Sequence, residues 1–347
     1  MQPSRPSLFS AVPAPFPAAL GLAAGFQVFT AWDQSHWWRL KEDYLFGWLV
    51  PAFVAFVVYD RWPRIETELR SCAAAGSVRA AGPAAWGLRL LAGGMLAGGA
   101  LMFLLGSFYR ASAGTSQPGT LAITLGMVGL VLPLLFIAAP ESPAPVPGRW
   151  RRDPRVRLTG LFLFPAAVWL ISAPMVSAVE SQVNLALLRR VVSVVAAVFD
   201  LLGLPIEQQG NVLVLPPIDG KPNQVGVEDA CSGIRSLTAC LFAGSFLAAV
   251  FVDRTWKKIA LVAAALGLAF LTNLGRSLFL TAWAYTHGHE AIEGTVHDIA
   301  GFAVLGLTVA GLLVLLPLLN LRLATAEELT AAGPEAAGPP AGDSRGE

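Results

Sequence analysis

Residues Val227 to Leu237 read V-E-D-A-C-S-G-I-R-S-L, and the second half of this stretch opens an apolar run that continues to Val252. A polar loop carrying Glu228 and Asp229 gives way there to a run long enough to cross a bilayer, with Cys231 at the junction. Asp229 is the better placed of the two carboxylates to cap a helix opening at Cys231. Two further apolar runs follow, one with Arg276 near its end and one starting at His297. Reading the three runs as consecutive membrane helices decides the fold.

Composition supports that reading. Hydrophobic residues make up 55% of the chain and charged residues 14%, where soluble domains carry roughly a quarter charged. The expected class is an all-α polytopic membrane protein. Eight spans are predicted, near residues 11–32, 44–60, 86–109, 119–139, 158–179, 231–252, 259–282 and 297–319. The first is read as a retained span, because no small-residue cleavage site follows it. The glycine pairs Gly93-Gly94 and Gly98-Gly99 are of the kind that lets helices approach closely.

A net charge of +1 gives no nucleic-acid signature, but the placement of the basic residues is informative. Arg61, Arg64, Arg70 and Arg79 fill one loop, and Arg149, Arg151, Arg152, Arg155 and Arg157 fill another. Arg254, Lys257 and Lys258 fill a third. Placing these loops inside puts both termini in the cytoplasm, the chain in the cytoplasmic (inner) membrane and the segment 180–230 outside. Within that segment, residues 183–204 predict an interfacial amphipathic helix around Arg189 and Arg190. Residues 211–215 and 224–227 predict the two strands of a hairpin about the turn 216–220. The membrane domain is expected over 1–323, followed by a disordered Ala/Gly/Pro/Glu-rich tail over 324–347.

Cys231, Arg276 and His297 carry the chemistry. Three cysteines make no disulfide framework, and Cys72 and Cys240 read as small apolar residues. A thiol in the first turn of a helix sits at the positive end of the dipole, which favours thiolate. The carboxylates of Glu228 and Asp229 oppose this, so a cation is needed nearby; Arg235, four residues on, is one candidate. Arg276 lies 17 residues into a predicted span, roughly 25 Å along it and close to the outer edge of the hydrocarbon core. An intramembrane arginine is a functional-site hypothesis by default. Asn273, three residues earlier, shares its helix face. His297 opens the last span with Asp298 as a candidate cap and Gly301 leaving room one turn below.

Each of these residues has a plain reading when taken alone: a small helix residue, a snorkelling arginine, an interfacial histidine. Together, under a topology set by loop charge, they fall at one level on consecutive helices. A thiolate to attack an acyl carbon, an imidazole to move the proton and a guanidinium to hold the oxyanion form a coherent set. One cysteine and one histidine beside a cation are a poor metal site, and neither a metal nor a cofactor is expected.

At these residues the chain resembles the exosortase/archaeosortase family of polytopic membrane transpeptidases. The matching pieces are A-C-S-G-I-R-S-L at Ala230–Leu237, N-L-G-R at Asn273–Arg276 and H-D-I-A-G at His297–Gly301. Residues Tyr44 to Tyr59 are similar to a further family segment, with Leu45-Phe46 where the family commonly has Ser-His. The resemblance implies Cys231 as nucleophile, with Arg276 and His297 completing the site; Glu228, Arg235, Asn273 and Asp298 are read from the sequence as supporting or substrate-binding residues. It also implies a substrate partner: the C-terminal sorting signal of secreted proteins, of the PEP-CTERM type, whose helix enters the bilayer and whose acyl group passes to an unidentified acceptor. Two other readings fit part of the pattern. A cysteine-dependent acyltransferase shares the site, and a transporter with Arg276 as ion site shares the intramembrane charge.

Overall fold

The computed structural model describes residues 14–218, 220–226, 233–252 and 254–320. Helix α1 (Pro15–Leu40) starts with prolines in its first turn, where a missing N–H costs nothing. A 3₁₀ segment (Glu42–Leu49) leads into α2 (Val50–Asp60), and α3 (Trp62–Ala73) follows at once. A short strand β1 (Val78–Ala80) precedes the long pair α4 (Pro83–Ala113) and α5 (Gln117–Ala138). Strand β2 (Val146–Gly148) then pairs in parallel with β1.

The predicted span over 158–179 is not one helix. It is broken into α6 (Pro154–Leu161), α7 (Leu163–Ala167) and α8 (Trp169–Ser172), with a 45° bend at the first break. Pro165 accounts for the break, because its ring removes a donor and clashes with the preceding turn. Helix α9 (Ser177–Leu201) covers the predicted amphipathic segment, starting several residues earlier. It is long and apolar enough to cross a membrane. Its buried face, Leu188, Val191, Val192, Val195 and Phe199, packs on Leu213 and on apolar side chains between Phe270 and Tyr285.

The predicted hairpin is present as β4 (Val212–Ile218) and β5 (Lys221–Gly226), antiparallel, with β3 (Glu207–Gln209) added on the far side of β4. The period of two decides what it buries. Leu213 joins the α9 cluster, while Leu215 and Val225 pack with Leu280, Ala284, Ile292 and Ala300. Three helices complete the described chain: α10 (Gly233–Phe251), α11 (Thr255–His287) and α12 (Thr295–Asn320).

Among the described residues six helices are long and apolar enough to span, or seven if the bent pair is one span. The chain is a multi-pass membrane protein. In α10 the apolar stretch within the described residues is the shorter Ser236–Phe251. The 324–347 tail lies outside the described residues.

Helices α4 and α5 meet through glycines, and Gly99 of the expected pairs is among them. Gly93, Gly94 and Gly98 face open space. Gly99 instead lies against the backbone of Gly129, and Gly126 against the backbone of Phe103, where a Cβ would come within 2.4 Å. Backbone contact of this kind is available only to glycine and drives association where lipid tails compete for every apolar surface.

The first predicted span ran to about residue 32, but α1 continues to Leu40 and buries Asp33, Gln34 and Ser35. Polar groups in a membrane interior need partners, and these have them. Gln34 Nε2 donates to Thr124 Oγ1 (2.8 Å) and to the Trp169 carbonyl (3.1 Å), while Ser172 Oγ donates to Gln34 Oε1 (2.8 Å). Asp33 pairs with Arg110, whose guanidinium also lies 4.0 Å from the Trp32 ring centroid. Lys41 reaches Glu180 at the start of α9 (2.6 Å). This network ties α1 to α4, α5, α8 and α9.

The arginine-rich loops gather at the opposite end from the hairpin. There Asp153 is fully buried and accepts from the Ala80 N–H (3.1 Å), the Arg155 N–H (3.0 Å) and the Arg155 side chain (2.8 Å). Burial alone would raise its pKa, but these hydrogen bonds outweigh it and hold the carboxyl below its usual value. Cys72, buried beside this cluster, is pushed up to about 11 by desolvation.

Candidate active site

Helices α10 and α11 run antiparallel in close contact. An added Cβ on Gly244 would stand 2.7 Å from the Ala265 Cβ, so these two residues are level with each other. Leu237 lines one small space with Ala269, Phe270 and Asn273, which continues the same register. Eleven residues before Gly244 is Gly233, the first described residue of α10, and eleven residues after Ala265 is Arg276. The start of α10 therefore lies level with Arg276. In the sequence Cys231 stands two residues before Gly233. Cys231 and Glu228 are outside the described residues, as is the side chain of Arg235.

Arg276 and His297, on α11 and α12, are brought into direct contact. Arg276 Nη2 donates to His297 Nε2 at 2.8 Å. A guanidinium has donors only, so Nε2 is the acceptor, and the imidazole is the neutral tautomer with its proton on Nδ1. The guanidinium passes over Gly301, where an added Cβ would come to 3.8 Å from Nη2. That glycine sits where the sequence reading wanted room. Arg276 Nε is buried without a hydrogen-bond partner among the described residues.

The supporting residues divide. Asn273 is buried and faces α9 and α10 beside Leu187, Val191 and Leu237. Asp298 is exposed and lies in the first turn of α12, where its N–H donates to the Gly294 carbonyl (3.0 Å). It is not the cap, because α12 begins at Thr295, two residues before His297.

Two features escaped the sequence reading. Thr272 and Thr308 share a hydrogen bond (3.1 Å) that clamps α11 to α12 one turn below Arg276. Threonines in apolar runs gave no sign of which helix each would meet. Phe46, at the position where a histidine was expected, stacks on Phe242 of α10 (centroids 5.2 Å apart), and Phe53 stacks on Phe246 (4.2 Å). Thr238 Oγ1 also donates to the Asp43 carbonyl (3.2 Å). The segment Glu42–Asp60 thus braces α10 on the side away from α11.

Residues 155–314 match the family model described as transmembrane exosortase (Exosortase_EpsH). No curated protein and no solved structure shows a significant match to the chain. The matched stretch runs from α6 into α12 and contains both partners of the Arg276–His297 contact, so the similarity to the transmembrane exosortase family covers the candidate site.

Proposed function

We propose that this protein is a membrane-embedded cysteine transpeptidase or endopeptidase that processes the C-terminal sorting signal of exported proteins. The Arg276–His297 hydrogen bond, held level with the start of α10, is the observation that carries the reading. The proposed topology has eight spans with both termini in the cytoplasm, and the basic loops at the end opposite the hairpin support it. The site then faces the extracytoplasmic side of the inner membrane.

In the proposed reaction His297 Nε2 takes the proton of the Cys231 thiol, the thiolate so formed attacks the scissile carbonyl carbon, and the oxyanion takes N–H donors from Arg276. The C–N bond then breaks, and the leaving amine takes a proton from His297 as the thioester forms. In the second half His297 accepts a proton from the incoming nucleophile, whose attack releases Cys231. Water in that role gives hydrolysis, and an amine or hydroxyl acceptor gives transfer.

The geometry adds an ordering. The only lone pair on a neutral imidazole is here committed to Arg276. A substrate carbonyl that draws the guanidinium toward itself frees Nε2 to act as a base, so binding and activation are coupled. Cys231→Ala, expressed with an exported protein bearing such a signal, should leave that protein at full length. Normal processing in the mutant would remove the assignment.

A further inference from the structure

At the end of the bundle away from Arg276 lies an apolar groove of about 550 Å³ between α7, α10 and α11. Its walls include Phe164, Ala248, Val262 and Leu266, and its charged linings among the described residues are Arg61 and Lys258. Arg61 is fixed there. Its Nη1 donates to the Leu161 carbonyl at the α6–α7 break (2.6 Å), and its Nη2 donates to the Ala249 carbonyl (3.1 Å). Both acceptors are neutral carbonyls, and the Asp60 and Arg64 charges that act on the guanidinium are of opposite sign. A second groove of about 220 Å³, between α4, α5 and α6, has no charged residue in its walls.

The groove is short. Along α11 it runs from Ile259 to Leu266, a rise of about 10 Å, or roughly a third of the hydrocarbon core. Above Leu266 the same face of α11 is covered by α9. Leu187 and Val191 close over Ala269, Phe270 and Asn273, leaving about 10 Å³. An occupant following α11 therefore reaches no further than one leaflet, which is too short for a transmembrane helix and suited to an acyl chain. The cationic mouth selects an anionic headgroup and repels a helix ending in basic residues.

We propose that this groove binds an anionic phospholipid of the leaflet at the basic end, with its headgroup at Arg61 and Lys258 and a tail against α10 and α11. The lipid supports the lower halves of the two helices whose upper halves form the candidate site.

The test uses the full chain solubilised with phosphatidylcholine and titrated with phosphatidylglycerol. Phosphatidylglycerol should raise Tm saturably, whereas further phosphatidylcholine should not. Arg61 also ties three helices together, so its removal risks misfolding, and Lys258→Gln is the cleaner change. It should raise the half-saturating amount about fivefold, the effect of one basic residue beside an anionic headgroup. Ala263→Trp fills the groove from its exposed wall and should abolish the response while leaving Tm in phosphatidylcholine alone unchanged. Equal responses to the two lipids, or a response that survives Ala263→Trp, would overturn the proposal. Displacement of the lipid by a synthetic transmembrane helix with a basic C-terminus would also overturn it and give the groove to a substrate helix.

Discussion

Arg276 Nη2 and His297 Nε2 are 2.8 Å apart on successive helices, and the donor-only chemistry of arginine makes the histidine the acceptor. In the proposed reaction the pair is a positioned base whose lone pair is held until the substrate displaces the guanidinium. His297→Gln should reduce processing by about 10²–10⁴-fold, the usual worth of a positioned general acid–base group. Turnover of a tagged substrate in isolated membranes measures it, and a loss below threefold would mean that His297 moves no proton in the reaction.

Arg276→Lys keeps the charge but replaces a fork by a single ammonium. One N–H position toward His297 and a second toward a carbonyl oxygen cannot both be met. Processing should fall by about 10²–10³-fold, as for loss of an oxyanion donor. Wild-type rates in this variant would show that charge alone suffices.

Thiol labelling separates the three cysteines. Cys72 is fully buried with its pKa pushed up to about 11, and Cys240 is also buried. At pH 7.5 both should label only after denaturation, so labelling of the native protein should vanish in Cys231→Ala. If Cys231 is activated by its neighbours, its labelling rate should also drop in His297→Gln. Rates that ignore His297 would favour a passive thiol.

The α4–α5 seam gives a paired stability test. Gly126→Ala would drive a Cβ into the Phe103 backbone, at a cost of about 1–3 kcal/mol for overpacking. Gly98→Ala meets nothing within 4 Å and should stay within about 0.5 kcal/mol of the parent. Unfolding in mixed detergent micelles ranks the two, and equal effects would contradict the seam.

Asp153 provides a pH signature at the basic end. Its folded pKa lies below the unfolded value of about 3.9, so its contribution is fully present above that pH and is lost as pH falls through the folded value. Asp153→Asn should therefore be less stable than the parent at pH 7, and the difference should shrink below about pH 4. A gap that persists unchanged into acid would mean that shape rather than charge holds this corner.

Much of the membrane architecture was legible because apolar runs must be long and polar residues must be explained. The boundaries of α5 and the strands of the hairpin follow from hydropathy and turn residues within a few positions. Arg276 and His297 stood out for the same reason, as polar residues in apolar surroundings. What stayed hidden depends on partners distant in sequence. Asp33 and Gln34 looked like the end of a span, because nothing nearby announces that Arg110, Thr124 and Ser172 satisfy them. The glycines of α4 that matter are those facing α5, and only the helix rotation separates Gly99 from Gly98. The break at Pro165 is not legible from sequence, since membrane helices often carry proline without breaking.

Helix α11 has 33 residues, about 50 Å of rod against a core of roughly 30 Å. Its foot borders the lipid groove, its middle carries Arg276, and its top carries the hairpin through Leu280 and the Asn223–Ala284 contact. It behaves as a mast stepped at the basic end of the bundle. A lean of about 5° at the foot swings Arg276, roughly 30 Å up, by nearly 3 Å. That displacement equals a whole hydrogen bond, so the thickness of the surrounding bilayer is itself a setting on the chemistry at the masthead.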